Sequence, residues 1–196
     1  MAISRLFEHE GRCDPAKLNY EPFKTETGAI KSFDCGDKSL NEFLRSEEVA
    51  NYEKELLGKT TLVFCEGQLV GYYTISNDQL RMEYLKKETG FSKLSDYHID
   101  GIPAVTIGRL AVDLKWQKQG IGRTLVQKIA MYALDTSKHS GIRLLLVQAK
   151  EKAFDFYKKL GFQFVIESKR EIRRFRARGT RTMFFDLMEI SQLRPE

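Results

Sequence analysis

The residues of the chain with the clearest chemical potential are two closely spaced glycines at the start of an amphipathic segment. Gly120 and Gly122 follow a largely apolar run, residues 105–112, that predicts a buried strand. Glycine lacks a Cβ, so a ligand can approach the backbone, and the free N–H groups of a first helical turn favour an anion. Lys118 and Arg123 add positive charge at the same end. The pattern predicts a cradle for a diphosphate.

This cradle differs from the two commonest phosphate-binding loops. No Gly-Lys-Ser/Thr sequence closes it, which excludes a P-loop. Leu125 stands where a dinucleotide-binding loop would place its third glycine. On local grounds the alternative is that the glycines serve only close packing between a strand and a helix.

Around the cradle, the spacing of apolar residues predicts alternating strands and helices. Asp37 or Ser39 is suited to capping the first of these helices. The strand-helix-strand unit over 105–149 predicts a right-handed crossover and an α/β fold. Residues 1–29 are expected to be irregular or partly extended, and 77–104 to be a long connection with one short helix. Strands are predicted at 30–33, 60–64, 69–76, 105–112, 143–149, 162–166 and 183–188, and helices at 40–57, 80–87, 121–139 and 150–160.

Basic residues are concentrated in one segment from Lys169 to Arg181, called here the basic segment. It holds seven basic residues and one acidic residue, a net charge of +6 in a chain whose total is +5. Between Arg174 and Arg178 the arginines alternate with other residues, which predicts three guanidinium groups on one face of a strand. Arginine suits phosphates and carboxylates. A solvated hairpin, an RNA-binding surface, and a site for an anionic small acceptor or a coenzyme phosphate therefore remain open.

Composition narrows the protein class further. A chain of 196 residues can bury a sizeable core, and none of its apolar runs is long enough to span a membrane. The start of the sequence shows no secretory signal, so we expect a cytoplasmic protein without membrane contacts. Three widely spaced cysteines, Cys13, Cys35 and Cys65, lack metal-ligand spacing, which predicts reduced thiols and no bound metal.

Two motifs resemble those of the GNAT N-acetyltransferase family. Gln117-x-x-Gly120-x-Gly122, after a strand ending at Val112, is similar to its acetyl-CoA motif. Ala153 and the nine residues after it, AFDFYKKLGF, are similar to its second signature, A-x-x-x-Y-x-x-x-G-F. The resemblance covers residues 30–190 and leaves an N-terminal arm, 1–29, and a tail, 191–196. It implies the GNAT fold, a mixed central sheet with splayed parallel strands flanked by helices.

The resemblance also implies a chemistry, acetyl transfer from acetyl-CoA to an amine. In the family, backbone groups of two splayed strands pair with the pantetheine arm, and here the N–H of Leu110 or Val112 would polarise the thioester carbonyl. Many members carry an asparagine where this chain has Lys150. The coenzyme contacts implied for this chain are Leu110, Ala111, Val112, Gln117, Lys118, Gln119, Gly120, Ile121, Gly122, Arg123, Thr124, Gln148, Lys150 and Phe154.

Tyr157 is the implied proton donor to the departing thiolate. A phenol with a pKa near 10 stays protonated at neutral pH and can still protonate a nearby thiolate. From spacing alone, Tyr157 is better explained as a core aromatic residue on a face with Phe154 and Leu160, and the signature favours the proton donor. Several residues qualify as a general base by type only, and none is assigned: Glu83, Glu88, His98, Asp113 and His139.

Three shorter stretches are similar to the GNAT subgroup that includes toxins acetylating aminoacyl-tRNA. They are Phe33-Asp34-Cys35-Gly36, Gly71-Tyr72-Tyr73 and Gly108-Arg109-Leu110-Ala111-Val112-Asp113. We therefore keep three functions open: an N-acetyltransferase for a small or protein amine, a toxin-like enzyme acting on the amino group of charged tRNA, and a GNAT-shaped module that binds CoA or RNA without turnover. The basic segment would hold the RNA, and a homodimer is an arrangement common in the family.

Overall fold

The computed structural model describes residues 14–24, 28–84, 91, 94, 96–165 and 168–191. The chain divides into two compact units. The N-terminal unit comprises Glu8–Ser76 and Ile107–Lys128, and the described residues of the C-terminal unit fall in Asn77–Thr106 and Ile129–Glu196. Of the described elements, two strands and one helix have residues in both units.

The N-terminal unit is built on antiparallel strands. β1 (Leu18–Pro22) pairs with β2 (Lys59–Cys65), and β2 pairs with β3 (Gln68–Arg81), whose later residues belong to the other unit. Two helices, α1 (Lys38–Arg45) and α2 (Glu47–Lys54), precede β2, and the second half of β4 (Gly101–Val112) leads into α3 (Ile121–Thr136). The core forms where these elements bury apolar side chains, among them Phe33, Phe43, Leu62 and Tyr72.

The described part of the C-terminal unit contains three further strands. β5 (Leu144–Lys150) pairs antiparallel with β7 (Thr180–Asp186), and β6 (Gln163–Phe164) pairs with the other edge of β7. Helices α4 (Phe154–Lys159), α5 (Lys169–Arg178) and α6 (Met188–Ser191) connect or follow these strands. Apolar residues of β4, β5 and β7 supply the core, which includes Ile102, Leu144, Leu146 and Phe184.

The strand order is β1-β2-β3-β4-β5-β7-β6, mostly antiparallel with one parallel pair. The predicted α/β class with a mixed sheet flanked by helices is therefore confirmed. The predicted apolar stripe of α3 is also correct, since Ile121, Leu125, Ile129 and Ala133 are buried. None of the helices in the described ranges is long and apolar enough to cross a membrane.

Several predicted elements of the first half differ from the structure. Residues 30–33 do not form a strand, because Gly28–Ser32 is a 3-10 helix that buries Ile30. The first strand is instead Leu18–Pro22, inside the segment expected to be irregular or partly extended. The helix predicted at 40–57 is two helices, because Ser46 leaves helical geometry and its Oγ accepts the N–H of Glu48.

Differences in the second half have similarly local causes. β3 extends to Arg81 and β4 begins at Gly101, so the connection predicted at 77–104 is shorter. Of the helix predicted at 80–87, the structure shows a 3-10 turn at Met82–Tyr84, and 85–87 lie outside the described residues. The helix predicted at 150–160 starts as a 3-10 turn over Glu151–Ala153.

The basic segment is the clearest correction. Alternation predicted a strand, but Lys169–Arg178 is an α-helix. Ser168 caps its N-terminus by accepting the N–H of Glu171 at 3.2 Å. The sequence contains the corresponding signal, a Ser-x-x-Glu capping pattern over residues 168–171, which outweighs three alternating arginines.

Candidate active site

The predicted cradle lies between the end of β4 and the start of α3, and side chains of the loop itself hold its shape. Asp113 caps the 3-10 turn Leu114–Trp116 by accepting the N–H of Lys115 at 3.0 Å. The Gln117 amide donates to the carbonyl of Val112 at 2.9 Å, and the Gln119 amide donates to the carbonyl of Lys115 at 2.9 Å. Two of the predicted coenzyme residues are therefore occupied, through their amide nitrogens, in forming the loop.

The backbone of this loop turns sharply before the helix. Lys118 has φ +59° and Gly120 has φ +84°, a region that only glycine enters without steric cost. The N–H of Thr124 is the donor to the Gly120 carbonyl at 3.1 Å, so α3 is hydrogen-bonded from its first turn. The N–H groups ahead of Thr124 have no acceptor within the helix and carry the positive end of its dipole. This geometry fits a diphosphate.

The strand before the loop approaches its neighbour unusually closely. An added Cβ on Gly71 of β3 would lie 2.8 Å from the backbone carbonyl oxygen of Ala111. Glycine at position 71 therefore lets β3 run against the end of β4, where Leu110, Ala111 and Val112 were predicted to contact the coenzyme. Ala111 and Ile121 are buried, so each can offer a ligand little beyond its backbone.

The remaining predicted coenzyme residues lie in the C-terminal unit. Gln148 and Lys150 are on β5, opposite Thr182 and Thr180 of β7. Phe154 begins α4, and its ring contacts that of Phe164 edge to face at 5.0 Å.

Tyr157 lies on α4 and is almost completely buried. Its ring contacts Phe156 at 4.9 Å and Phe162 at 5.3 Å, both edge to face. Burial raises the pKa of its hydroxyl above the usual value, so the phenol is protonated at neutral pH. Among the described residues, none forms a hydrogen bond with this hydroxyl.

Another buried tyrosine shows what a purely structural hydroxyl looks like. Tyr72, in the N-terminal unit, donates its hydroxyl to the carbonyl of Leu40 at 2.7 Å. Most buried hydroxyl groups are paired in this way. The Tyr157 hydroxyl differs from that of Tyr72 in having no such bond to a described residue, and its ring belongs to the core, as the alternative interpretation holds.

The helix α5 of the basic segment has one face that lines a pocket and another that is exposed. Arg170, Glu171 and Arg174 line a pocket of about 290 Å³ in the C-terminal unit. Positions 169, 173 and 176 are spaced i, i+4, i+7, so they share the opposite face of α5. Their side chains, Lys169, Arg173 and Arg176, are exposed. We call these three residues the basic stripe.

Sequence reasoning missed the pocket itself. It is lined by residues of β3, β4, β5 and β7 as well as α5, and it includes Gln148. Glu171 is 5% exposed there, and its carboxylate accepts from Arg174 and from Thr182. At the pocket's edge, the Thr106 hydroxyl donates to Asp78 at 2.7 Å. Only the capping pattern that predicts α5 could have pointed to these residues.

The residues considered as a general base divide into three groups. Asp113 accepts hydrogen bonds from two backbone N–H groups, of Asp34 and Lys115, so its carboxylate has a structural task. His98 and His139 are exposed. Glu88 and the side chain of Glu83 lie outside the described residues. Within those residues, no group of three or more His, Cys, Asp and Glu side chains could hold a metal ion.

Comparison with known proteins gives the family of this chain. The profile of the acetyltransferase (GNAT) domain matches residues 58–164, more than half of the chain. The chain belongs to the GNAT acetyltransferase family. The match falls within residues 30–190, the predicted domain, whose limits stay a prediction.

Relatives of this GNAT acetyltransferase include toxins. A tRNA-acetylating toxin of Mycobacterium tuberculosis (strain ATCC 25618 / H37Rv) is 27% identical over 136 residues, 68% of this chain and 78% of the relative. The structure of AtaT complexed with acetyl-methionyl-tRNAfMet has a TM-score of 0.74 at 29% identity, covering 90% of this chain and 98% of that one. A KacT mutant with tyrosine changed to phenylalanine gives 0.75 at 28%, covering 91% and 99%.

The family and these relatives identify the reaction class. This GNAT acetyltransferase is an enzyme that uses acetyl-CoA as the acetyl donor, as in the structure of an AtaT mutant bound to the antitoxin AtaR and acetyl-CoA. The third function kept open above, binding without turnover, is therefore not supported.

Proposed function

We propose that this enzyme transfers the acetyl group of acetyl-CoA to the amino group of an aminoacyl-tRNA. The observation that carries the proposal is the basic stripe on α5. Lys169, Arg173 and Arg176 present three positive charges along one exposed helix face, which matches the repeated negative charge of an RNA backbone. A small amine acceptor would not require such a surface.

The relatives support the same acceptor. One is named a tRNA-acetylating toxin, and another, AtaT, has been solved with acetyl-methionyl-tRNAfMet. The net positive charge of this chain is concentrated in the basic segment, since the charges of all the other residues nearly cancel. This distribution fits a protein that contacts RNA at one place better than a generally basic protein that coats nucleic acid.

We assign Tyr157 the role of proton donor. When bound, acetyl-CoA supplies an activated thioester, and attack by the acceptor amine forms the C–N bond while the C–S bond breaks. Tyr157 gives its hydroxyl proton to the departing thiolate and regains a proton from solvent, to which the attacking amine loses its own proton. Both AtaT and KacT have been studied as tyrosine-to-phenylalanine mutants, which supports a tyrosine of functional importance in these relatives.

The residues proposed to contact the coenzyme have different chemical roles. The N–H groups at the start of α3, with Lys118 and Arg123, would hold the diphosphate. The N–H of Leu110 or Val112 would donate to the thioester carbonyl oxygen. Lys150 takes the place of the asparagine found in many family members, and a cation there would favour a phosphate or carbonyl oxygen. Gln148 and Phe154 complete the set proposed from the family resemblance.

We also infer an inhibitory protein partner. AtaT has been solved with its antitoxin AtaR and, with AtaR, on DNA. An enzyme that acetylates charged tRNA would stop translation in its own cell, so expression without such a partner should arrest growth. Co-expression with the product of a neighbouring gene tests this inference, because growth would be restored only by a cognate partner.

Thiol release from acetyl-CoA tests the acceptor. The wild-type enzyme would be offered aminoacylated tRNA, uncharged tRNA, polyamines, amino acids and peptides. We expect turnover with aminoacylated tRNA and none with uncharged tRNA, since only the former carries the reactive amine. Turnover confined to polyamines or peptides would show that the acceptor is a small or protein amine and would overturn the proposal.

A further inference from the structure

The stretch Phe33-Asp34-Cys35-Gly36 has no role in the chemistry proposed above. It lies between a 3-10 helix and α1, far in sequence from the cradle loop. Phe33 is buried, and its ring contacts that of Tyr72 edge to face at 5.7 Å, so one end of the stretch is fixed in the core. The contacts of the other end, residues 34–36, indicate the role of the stretch.

Residues 34–36 are hydrogen-bonded directly to the first part of the cradle loop. The N–H of Asp34 donates to Asp113 Oδ2 at 3.0 Å, and the N–H of Leu114 donates to the Asp34 carbonyl at 2.8 Å. The Gln117 amide, which also holds Val112, donates to the Cys35 carbonyl at 3.0 Å. Three bonds therefore join two segments separated by about eighty residues.

Asn41, on α1, holds residues 34–36 in the shape that makes these bonds. Its Nδ2 donates to Asp34 Oδ1 at 2.6 Å, and its Oδ1 accepts the N–H of Cys35 at 3.0 Å. Asp34 Oδ1 also accepts the N–H of Gly36 at 2.8 Å. Gly36 has φ +76°, and a Cβ there would meet the Leu114 side chain at 3.1 Å, so the turn requires glycine.

The centre of this hydrogen-bond network, where the two segments meet, is buried. Asn41, Asp113 and Cys35 are all buried, and Asp113 uses both carboxylate oxygens, one for each segment. A buried network in which every polar group is satisfied is rigid and costly to disrupt. Asp34, Asn41 and Asp113 make their bonds to the backbone and side chains of the two segments, so an effect of these residues on a ligand would pass through the loop that they hold.

We propose that residues 34–36, held by Asn41, are a clamp that fixes the cradle loop in its coenzyme-binding conformation. The inference rests on the proposed role of that loop and adds Asp34, Asn41 and Asp113 as positioning residues. The clamp removes conformational freedom from the free loop, so acetyl-CoA does not have to order it on binding. Loss of the clamp should therefore weaken coenzyme binding and leave the chemical step nearly unchanged.

Trp116 provides a direct readout, because it is the only tryptophan of the chain and lies within the cradle loop. The variants are Asn41→Leu, which removes both amide bonds, and Asp34→Ala at an exposed position, which is less disruptive to folding. Measurements are Trp116 fluorescence anisotropy and acrylamide quenching without coenzyme, the Kd of acetyl-CoA by calorimetry, and steady-state kinetics. We expect lower anisotropy, stronger quenching, a Kd raised at least about fivefold and a kcat within about twofold of wild type.

Thr60→Val is the matched control for general loss of stability. Its hydroxyl forms a buried hydrogen bond with that of Thr74 at 2.8 Å between β2 and β3 of the same unit. This variant should melt at a lower temperature with wild-type fluorescence and wild-type coenzyme affinity. Clamp variants that behave like the control would overturn the proposal.

The two proposals fail in different ways. A wild-type protein that does not bind acetyl-CoA would contradict the assigned coenzyme site, whereas Trp116 fluorescence in the coenzyme-free protein would still decide whether the clamp orders the loop. Normal binding by wild type with an unchanged Trp116 signal in both clamp variants would overturn the clamp alone.

Discussion

The carboxylate of Glu171 accepts two hydrogen bonds from Thr182, one from its backbone N–H and one from its hydroxyl, each at 2.9 Å. Glu171 is on α5 and Thr182 is on β7, so this pair fastens the helix that carries the basic stripe to the sheet. Arg174 also donates to the same carboxylate, which balances its charge. The position of the stripe therefore depends on one buried acidic residue.

Replacing this acid should destabilise the protein. In Glu171→Ala, the Thr182 N–H and the half-buried Arg174 lose their partner, which should cost about 2–4 kcal/mol of unfolding free energy. Thr182→Val keeps the backbone bond and should cost only about 1 kcal/mol. Urea unfolding measures both, and equal losses in the two variants would show that the carboxylate is not the principal link.

A pair of buried tyrosines separates catalysis from packing. Tyr157→Phe removes the proposed proton donor, so kcat should fall at least about tenfold while the Kd of acetyl-CoA is unchanged. Tyr72→Phe loses the bond to Leu40, so the protein should lose about 1 kcal/mol of stability and retain the kcat of the folded enzyme. Steady-state kinetics and calorimetry make the comparison. A Tyr157→Phe enzyme with wild-type kcat would assign Tyr157 to the core alone.

The basic stripe should control RNA affinity and its salt dependence. Lys169→Gln, Arg173→Gln and Arg176→Gln together remove three potential phosphate contacts, so the slope of log affinity against log salt should become shallower by up to about three. A matched triple variant at exposed lysines elsewhere, Lys38, Lys59 and Lys138, should retain the wild-type slope. Electrophoretic mobility or filter binding at several salt concentrations measures the slope. An identical shift in both triple variants would point to net charge rather than a site.

Gly120 should be necessary for the shape of the cradle. At φ +84° an alanine is strained by about 1–2 kcal/mol, and relief of that strain would move the loop. We expect Gly120→Ala to bind acetyl-CoA at least about tenfold more weakly. Gly141→Ala, where an added Cβ meets no atom within 4 Å, should bind normally. Calorimetry gives both constants, and equal affinities would exclude a tight backbone approach at residue 120.

The strand, loop and helix that form the proposed cradle could be predicted from the sequence because their signals are local. A strand, a turn with two glycines and an amphipathic helix follow one another without interruption over residues 105–136, and each has its own periodicity. The hydrogen bond between the Gln117 amide and the Cys35 carbonyl could not be predicted, because it joins residues far apart in sequence. The basic segment shows a third case, in which the capping pattern at Ser168 competes with alternating arginines and prevails.

Alkaline pH should destabilise the protein once the pH passes the ordinary pKa of tyrosine. Burial raises the pKa of both Tyr72 and Tyr157 above 10.0, so the folded state retains protons that the unfolded state loses. The stability that this contributes is complete below about pH 10 and declines as pH rises beyond it. Urea unfolding between about pH 9 and about pH 11 should show a smaller decline for Tyr157→Phe than for wild type. Parallel pH profiles would contradict the buried phenol.

Cys35 provides a chemical probe of clamp opening. Its thiol is buried, hydrogen-bonded to Asn41 Oδ1 at 3.2 Å, and has its pKa raised by burial, so an alkylating reagent can react with it only in molecules that have transiently opened. The ratio of its alkylation rate to that of a free thiol is therefore the equilibrium constant for local opening. A cysteine at this position lets the free energy of local opening of residues 34–36 be measured in the unmodified protein.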